Sequence, residues 1–419
     1  MSVEDVKRAS GHLRGALADE LAAAKDEFDH DSVVLLKFHG IYQQDDRDVR
    51  RARRAKHLPL DHSYMVRAAV PGGRLTGEQW LALDRVADLA DGTMRLTTRQ
   101  GVQFHVVRTG SLRPLVGGIN DALLTTLAAC GDVVRNVMGS PWPDGRQDVI
   151  EPLVDAIVAR FRPRTTAYWE LWVDGERAVT AEPQPGPDGR VAGPEPIYGD
   201  VYLPRKFKIA VAWPGDNSVD VLSNDVGIVP TLSDGLTGEV TGYVVHVGGG
   251  QGMTHAREDD TYPRLATALC WVEPERVVDV VEAVVTTQRD HGNRDDRHRA
   301  RLKYLVDERG IDWVRGEVGR RVRFTLSPPA EVAPWEPEEY HGTRDGVIGL
   351  PVPSGKVADR DGVELRTALR SLVADGTVTQ LRVTPRQDLL LHGIEPGRIG
   401  EVEDRLRAHG VALAGDVSA

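Results

Sequence analysis

The stretch Arg95-Leu-Thr-Thr-Arg99-Gln-Gly-Val-Gln103-Phe-His105-Val-Val107 decides how the rest of the chain is read. As a strand, its side chains alternate between two faces. One face carries Arg95, Thr97, Arg99, Gly101, Gln103 and His105, and the other carries Leu96, Thr98, Gln100, Val102, Phe104 and Val106. The second face is mostly apolar and suits a core. The first is a row of cations and hydrogen-bond donors, suited to something large, flat and anionic. An exposed strand with solvated charges accounts for this stretch equally well.

A second copy shifts the balance. Gln380-Leu-Arg382-Val-Thr384-Pro-Arg386-Gln387-Asp-Leu-Leu-Leu-His392 repeats Arg, Thr, Arg, Gln and His at the same relative positions. Upstream, Val70-Pro71-Gly72-Gly73 matches Val352-Pro353-Ser354-Gly355. A helix is expected after each turn, opened by a capping box at Thr76/Gln79 and again at Asp361/Glu364, and closed at Gly92 and Gly376. A turn–helix–strand unit therefore occurs twice, which points to an internal duplication with two halves related by a pseudo-twofold. Pro385 in the second copy implies an edge strand or a bulge.

At 419 residues the chain is long enough for about three domains at roughly 150 residues each. With 41% hydrophobic and 27% charged residues its composition is that of an ordinary globular protein. No apolar run approaches membrane-spanning length and no signal-peptide pattern opens the sequence, so a cytoplasmic protein without a membrane partner is expected. A formal charge of −11 disfavours nucleic acid as a partner, and the local clusters of basic residues suggest a small anionic ligand instead. The two cysteines, Cys130 and Cys270, form no Cys-x-x-Cys pair. They exclude a disulfide framework, and they cannot supply the four thiolates of an iron–sulfur cluster.

Around the repeats, residues 3 to 28 read as one amphipathic helix with Leu13, Leu17 and Leu21 in a stripe. Ser63 to Val70 alternates as a strand, a helix is expected over Leu112 to Ala129, and the Gly- and Pro-bearing segment 129–143 marks a boundary containing Arg135 and Asn136. Pro183 to Pro196 reads as a loop. Tyr202 to Trp213 reads as a strand with Lys206 and Lys208 on one face, either an ordinary charged edge or part of a site. Gly248-Gly249-Gly250 follows a strand, and serves either a tight turn or an anion held by backbone amides. Pro274 to Arg289 is a buried helix, and Arg297 to Tyr304 is a basic helical stretch.

Together, Leu36-Lys-Phe-His39-Gly40, Gln44-Asp-Asp-Arg-Asp48, Arg95-Leu-Thr-Thr-Arg99-Gln100, Arg135-Asn136-Val137, Tyr202-Leu-Pro-Arg-Lys206-Phe-Lys208, Val247-Gly-Gly-Gly250 and Gln288-Arg-Asp290 resemble the sulfite/nitrite reductase family, on its assimilatory sulfite-reducing side. The resemblance covers nearly the whole chain. It implies an α+β fold in which duplicated ferredoxin-like halves join a mixed α/β siroheme-binding domain. The implied segments are 1–60, an N-terminal helix and extended piece; 61–130, the first ferredoxin-like half; 131–343, the siroheme-binding domain; and 344–419, the second half. The family's second α/β domain, with its Cys-x5-Cys and Cys-x3-Cys cluster ligands, is expected to be absent.

The resemblance also implies a reaction: the six-electron reduction of sulfite to sulfide, or of nitrite to ammonia, on siroheme coupled to a [4Fe–4S] cluster. The electrons come from ferredoxin or a flavoprotein. A non-catalytic siroheme-binding scaffold is the alternative for a chain without cluster cysteines. By position, Arg95, Thr97, Arg99, Gln103, His105 and Asn136 match siroheme-contacting residues, and no residue of this chain is expected to ligate a metal. Arginines suit the eight carboxylates of siroheme because each can hold one with two parallel hydrogen bonds. Arg67, Arg135, Lys206 and Lys208 match the cations around the substrate anion. They are expected to converge although no local rule gathers them, since four clustered cations repel one another unless a dianion offsets the cost.

Overall fold

The computed structural model describes residues 1–23, 25–173, 195–234, 238–333, 335–336, 339–414 and 416. The loop expected at 183–196 lies outside them up to position 194. By internal contacts the chain forms two units. The first comprises Met1–Gly131, Arg164–Ala192 and Tyr340–Ala419; the second comprises Asp132–Pro163 and Gly193–Glu339. The segment from Arg164 thus joins the first unit, which differs from the boundaries expected from sequence. Its helix Ala167–Trp172 is tied there by the Tyr168 hydroxyl, which lies 2.9 Å from Thr126 Oγ1 and accepts from Asn120 Nδ2 at 2.9 Å.

The first unit holds two five-stranded antiparallel sheets. One runs in the order Ile41–Asp45, His62–Ala68, Val102–Val107, Met94–Leu96, Lys356–Val357. The other runs Gly342–Arg344, Val347–Leu350, Leu389–His392, Gln380–Val383, Arg74–Thr76. Each sheet takes its last strand from the opposite half of the sequence, so the duplicated halves exchange edge strands. That exchange covers two edges that would otherwise expose unpaired backbone groups. The helices Gly77–Ala87 and Leu365–Ala374 are joined by Arg366, whose Nε donates to the buried Asp84 carboxylate at 2.7 Å.

The deciding stretch is a hairpin rather than one strand. Met94–Leu96 and Val102–Val107 are antiparallel partners around a turn at 97–101. Thr97 Oγ1 accepts from the amides of Arg99 (3.3 Å) and Gly101 (3.0 Å) and so gives the backbone an alternative to the ladder. Gln100 adopts a left-handed φ of 54° and buries its amide, donating to the carbonyls of Gly72 (3.2 Å) and Val383 (3.1 Å). The second copy mirrors this. Thr384 Oγ1 accepts from Asp388 N at 3.1 Å, Gln387 has φ 71°, and Gln387 Nε2 donates to Leu96 O at 2.9 Å. The repeated Thr-x-Arg-Gln is therefore a turn whose glutamine reaches into the other half, and Pro385 sits in that turn instead of on an edge strand.

Other expectations change locally. The N-terminal helix is broken into Val3–Ala9 and Leu17–Ala22. Gly15, at φ +50°, lies where a Cβ would come within 2.5 Å of Leu35 Cδ1, and the close approach keeps Leu13 and Leu17 buried. The Thr76/Gln79 capping box is present, but Asp361 and Glu364 form none; the amide of Thr367 is taken by Asp359 at 3.0 Å instead. The first repeat's helix ends at Ala87, short of Gly92, and the helix expected to reach Ala129 is Thr109–Asp121.

The second unit is built on one mixed sheet in the order Thr267–Val272, Val240–Val247, Val226–Leu232, Ile209–Val211, Met138–Gly139. The first three strands are antiparallel and the last two pairings are parallel. Only Ile209–Val211 of the strand expected at 202–213 enters the sheet, and the basic stretch becomes helical from Leu302. Helices Gln147–Phe161 and Val277–His291 pack together through their apolar faces, with Arg160 bridging to Asp279 at 3.2 Å.

Candidate anion and cofactor site

In the first unit the cationic row is carried across the sheet, not along one strand. Arg67 on His62–Ala68 is in register with Gln103, Gln103 with Arg95, and Arg95 with Lys356 of the exchanged strand. In-register neighbours project to the same face, so Arg67, Gln103, Arg95 and Lys356 form one transverse line, with His105 two residues from Gln103 on that face. Arg99 and Thr97 lie in the turn. Thr97 is engaged in holding that turn, and strand alternation does not set the direction of Arg99.

Hydrogen bonding orders the row. The Gln103 amide satisfies its neighbours only with its oxygen toward Arg67, 2.8 Å from Nε and 2.5 Å from Nη2; its nitrogen then donates to His105 Nε2 at 3.1 Å. That arrangement requires a neutral imidazole. Burial and the charges of Arg95, Arg67 and Lys356 supply one by holding the His105 pKa below its ordinary value, against Asp91. Arg67 Nη1 also donates to Cys130 Sγ at 2.8 Å. Arg95 Nε is buried without a hydrogen-bond partner among the described residues, and its terminal nitrogen is 3.9 Å from Asp91. A buried, unsatisfied guanidinium N–H costs free energy, and an anionic acceptor on this face would remove that cost.

In the second unit two extended segments run side by side. Arg135 N donates to Phe207 O at 2.9 Å, Phe207 N donates to Val133 O at 3.0 Å, and the pairing continues in parallel into Met138–Gly139 against Ile209–Val211. This places Arg135 and the buried Asn136 beside Lys206 and Lys208, which flank the fully buried Phe207. The Lys206 ammonium has its pKa pushed down to about 8 by burial and by the charges of Arg135, Arg301 and Arg205, with Asp225 opposing. Three of the four expected anion-binding cations, Arg135, Lys206 and Lys208, therefore lie together in this unit, while Arg67 belongs to the first.

The ambiguity of the glycine run resolves. The amides of Gly248, Gly249 and Gly250 donate to Asp225 O, Asn224 O and Arg264 O at 2.9, 2.9 and 2.7 Å, so they serve a turn and not an anion. A Cβ on Gly249 would come within 2.1 Å of Leu222 O. Arg301 and Lys303, read as a basic helical stretch, are buried. Lys356 was invisible to reasoning along the first repeat, although the duplication pointed to it: it follows Gly355 as Arg74 follows Gly73.

The residues fit the two implied groups differently. A face of cations and amides with an unsatisfied buried Arg95 N–H fits a polycarboxylate such as siroheme. A four-thiolate cluster does not fit. Cys130 and Cys270 are both buried, the Cys270 thiol is pushed up to about 12 by burial, and no group of three or more potential metal ligands occurs among the described residues. No described helix is long and apolar enough to cross a membrane.

Comparison with known proteins agrees with the duplicated architecture. The family profile described as nitrite/sulfite reductase ferredoxin-like half domain matches residues 58–122 and 341–409, the two duplicated halves. The profile described as nitrite and sulphite reductase 4Fe-4S domain matches 155–326, a region containing one cysteine, Cys270. The chain is 40% identical over 98% of its length to the sulfite reductase [NADPH] hemoprotein beta-component of Staphylococcus saprophyticus, covering 71% of that protein. It is 41% identical over its full length to the protein of the same description from Xanthomonas oryzae pv. oryzae, covering 72% of it. The solved structure of Mycobacterium tuberculosis NirA protein shares the fold, with a TM-score of 0.73 and 23% identity over 97% of this chain and 69% of that one. The chain belongs to the nitrite and sulfite reductase family.

Proposed function

We propose that this protein is a siroheme-carrying sulfite reductase component that reduces sulfite to sulfide. The 40–41% identity to sulfite reductase hemoprotein components over essentially the whole chain carries this reading and favours sulfite over nitrite. Siroheme, when bound, supplies redox-active iron for a six-electron reduction. The transverse row of Arg95, Gln103 and His105, extended by Lys356, holds its carboxylates; Thr97 shapes the turn that carries Arg99, and Arg99 and Asn136 are assigned to the same cofactor by their match to the family's positions. Charge-assisted, bidentate contacts are the strongest available for that task.

Arg135, Lys206 and Lys208, side by side in the second unit, bind the sulfite dianion, and Arg67 is assigned to it by its match to the family's position. Reduction consumes six electrons and six protons per sulfite: three S–O bonds break, each oxygen leaves as water, and sulfide remains. A lysine with a pKa of about 8 stays mostly charged at neutral pH yet gives up its proton more readily than a solvated one. Lys206 is therefore the proton donor to departing oxygen, while Arg67 and Arg135, which do not deprotonate, hold charge. Electrons come from a separate donor, ferredoxin or a flavoprotein, and the protein works in the cytoplasm. No step is assigned to a cluster, because the cysteines of this chain do not fit one.

The two buried cysteines support a second reading, a siroheme-binding component without turnover of its own. Siroheme-loaded protein given reduced methyl viologen separates the readings. Sulfide released from sulfite faster than ammonia from nitrite is expected. Faster ammonia formation overturns the substrate assignment, and tight siroheme binding without either product leaves the non-catalytic reading.

A further inference from the structure

Behind the two lysines lies a buried ion pair that the proposed reaction does not use. Asp225 is fully buried and Arg301 nearly so. Arg301 Nε donates to Asp225 Oδ1 at 3.0 Å and Nη2 donates to Oδ2 at 2.8 Å, a bidentate contact. The same Oδ2 accepts from the main-chain amide of Lys208 at 2.8 Å. The Asp225 carbonyl accepts from Gly248 N at 2.9 Å, and Arg301 Nη2 lies 3.3 Å from Gly249 O. A Cβ on Gly250 would meet the guanidinium at 3.0 Å, so the glycine turn is shaped around this arginine. Lys303, two residues on, is held separately by the carbonyls of Gly250 (3.2 Å), Gly252 (2.7 Å) and Tyr262.

Burying a carboxylate and a guanidinium is expensive, and a pair of apolar residues often serves stability as well or better. What an apolar pair cannot supply is an acceptor for the Lys208 amide or a charge beside Lys206. We propose that Asp225 and Arg301 are positioning residues of the anion site: Asp225 fixes Lys208 through its backbone, and the two opposite charges together set the field that Lys206 experiences. The groups facing Lys206 are Arg135 from the adjacent segment, Arg205 on its own, and Arg301 and Asp225 behind it. The proposal rests on the anion-site reading for its purpose, but its test is independent of siroheme and of turnover.

The test is the pH dependence of Lys206 acetylation by acetic anhydride, read by mass spectrometry on the full chain, with far-UV circular dichroism confirming the fold. Removing Arg301 alone leaves Asp225 to stabilise the ammonium; removing the Asp225 charge alone leaves Arg301 to repel it. Arg301→Gln is expected to raise the Lys206 midpoint by about one pH unit and Asp225→Asn to lower it by a similar amount, the scale of one nearby charge. The double variant should return close to the wild type. A merely structural pair would loosen the pocket in both variants and move both midpoints upward toward the solvated value. Shifts in the same direction, or none, overturn the proposal.

If Asp225→Asn does not fold, Arg301→Gln against Arg301→Lys decides: only Gln should raise the midpoint, and equal effects overturn the proposal. Sulfite protection of Lys206 in the wild type is measured alongside. Its absence counts against the anion-site reading and leaves the positioning result standing on its own.

Discussion

Lys356→Met tests the claim that the cofactor face is assembled by strand exchange. The substitution keeps most of the stem and removes only the charge. In the structure Lys356 is the in-register neighbour of Arg95 on a strand contributed by the opposite half. One charge-assisted contact to a carboxylate is worth about 1.5–3 kcal/mol when shielded. Lys356 is only partly buried, so about 1–2 kcal/mol is the reasonable expectation, or roughly a 5- to 30-fold weaker affinity for siroheme. The assay is titration of apoprotein with siroheme, followed by absorption. A second readout needs no cofactor: Lys356 is one of the cations that hold the His105 pKa down, so the imidazole midpoint measured by NMR should rise in the variant. Unchanged siroheme affinity together with an unchanged His105 midpoint would refute the transverse row, because it would put Lys356 on the other face of the sheet.

Two further predictions concern the scaffold. His39 is buried and neutral, with its pKa lowered to about 4 by burial; Nε2 lies 2.9 Å from Leu13 O and Nδ1 accepts from Trp172 Nε1 at 2.9 Å. Above pH 6.5 the group is neutral in both folded and unfolded chains and has no effect. As pH falls from 6.5 toward 4 the unfolded chain binds the extra proton, so at pH 5 stability should drop by on the order of 2 kcal/mol from this residue. Urea midpoints at pH 7 and pH 5 check it, and His39→Gln should flatten the difference. Gln100→Ala and Gln387→Ala should each cost about 1–3 kcal/mol by leaving buried carbonyls of the opposite half without donors, and a loss under half a kcal/mol would show these turns do not tie the halves together.

The duplication was legible because it rests on residue identities at fixed spacing, and the Thr76–Gln79 cap was legible because it is local. The deciding stretch was misread in one respect. Thr97 and Gln100 look compatible with a strand, and nothing nearby reveals that Gln100 is bonded to Val383, 283 positions away. The cationic row survived that misreading because Arg95 and Gln103 face each other across the hairpin as they would along a strand of even spacing. Lys356 was missed because register between strands from different halves is a tertiary fact. The burial of Arg301 and Lys303 lay beyond the sequence for a related reason: it depends on the buried carboxylate and carbonyls that receive them from distant parts of the chain. The chemistry of Lys206 also lay beyond the sequence, since a lysine's proton affinity depends on burial and neighbouring charge.

The most direct measurement is the absorption spectrum of siroheme-loaded protein during a sulfite titration, in the wild type and in Lys206→Met/Lys208→Met. The account predicts a Soret-like band and red isobacteriochlorin bands that shift saturably with sulfite in the wild type. In the double variant the same bands should be present, but sulfite affinity should fall by at least tenfold. Protein that takes up no siroheme, or a double variant that binds sulfite as tightly as the wild type, would contradict it.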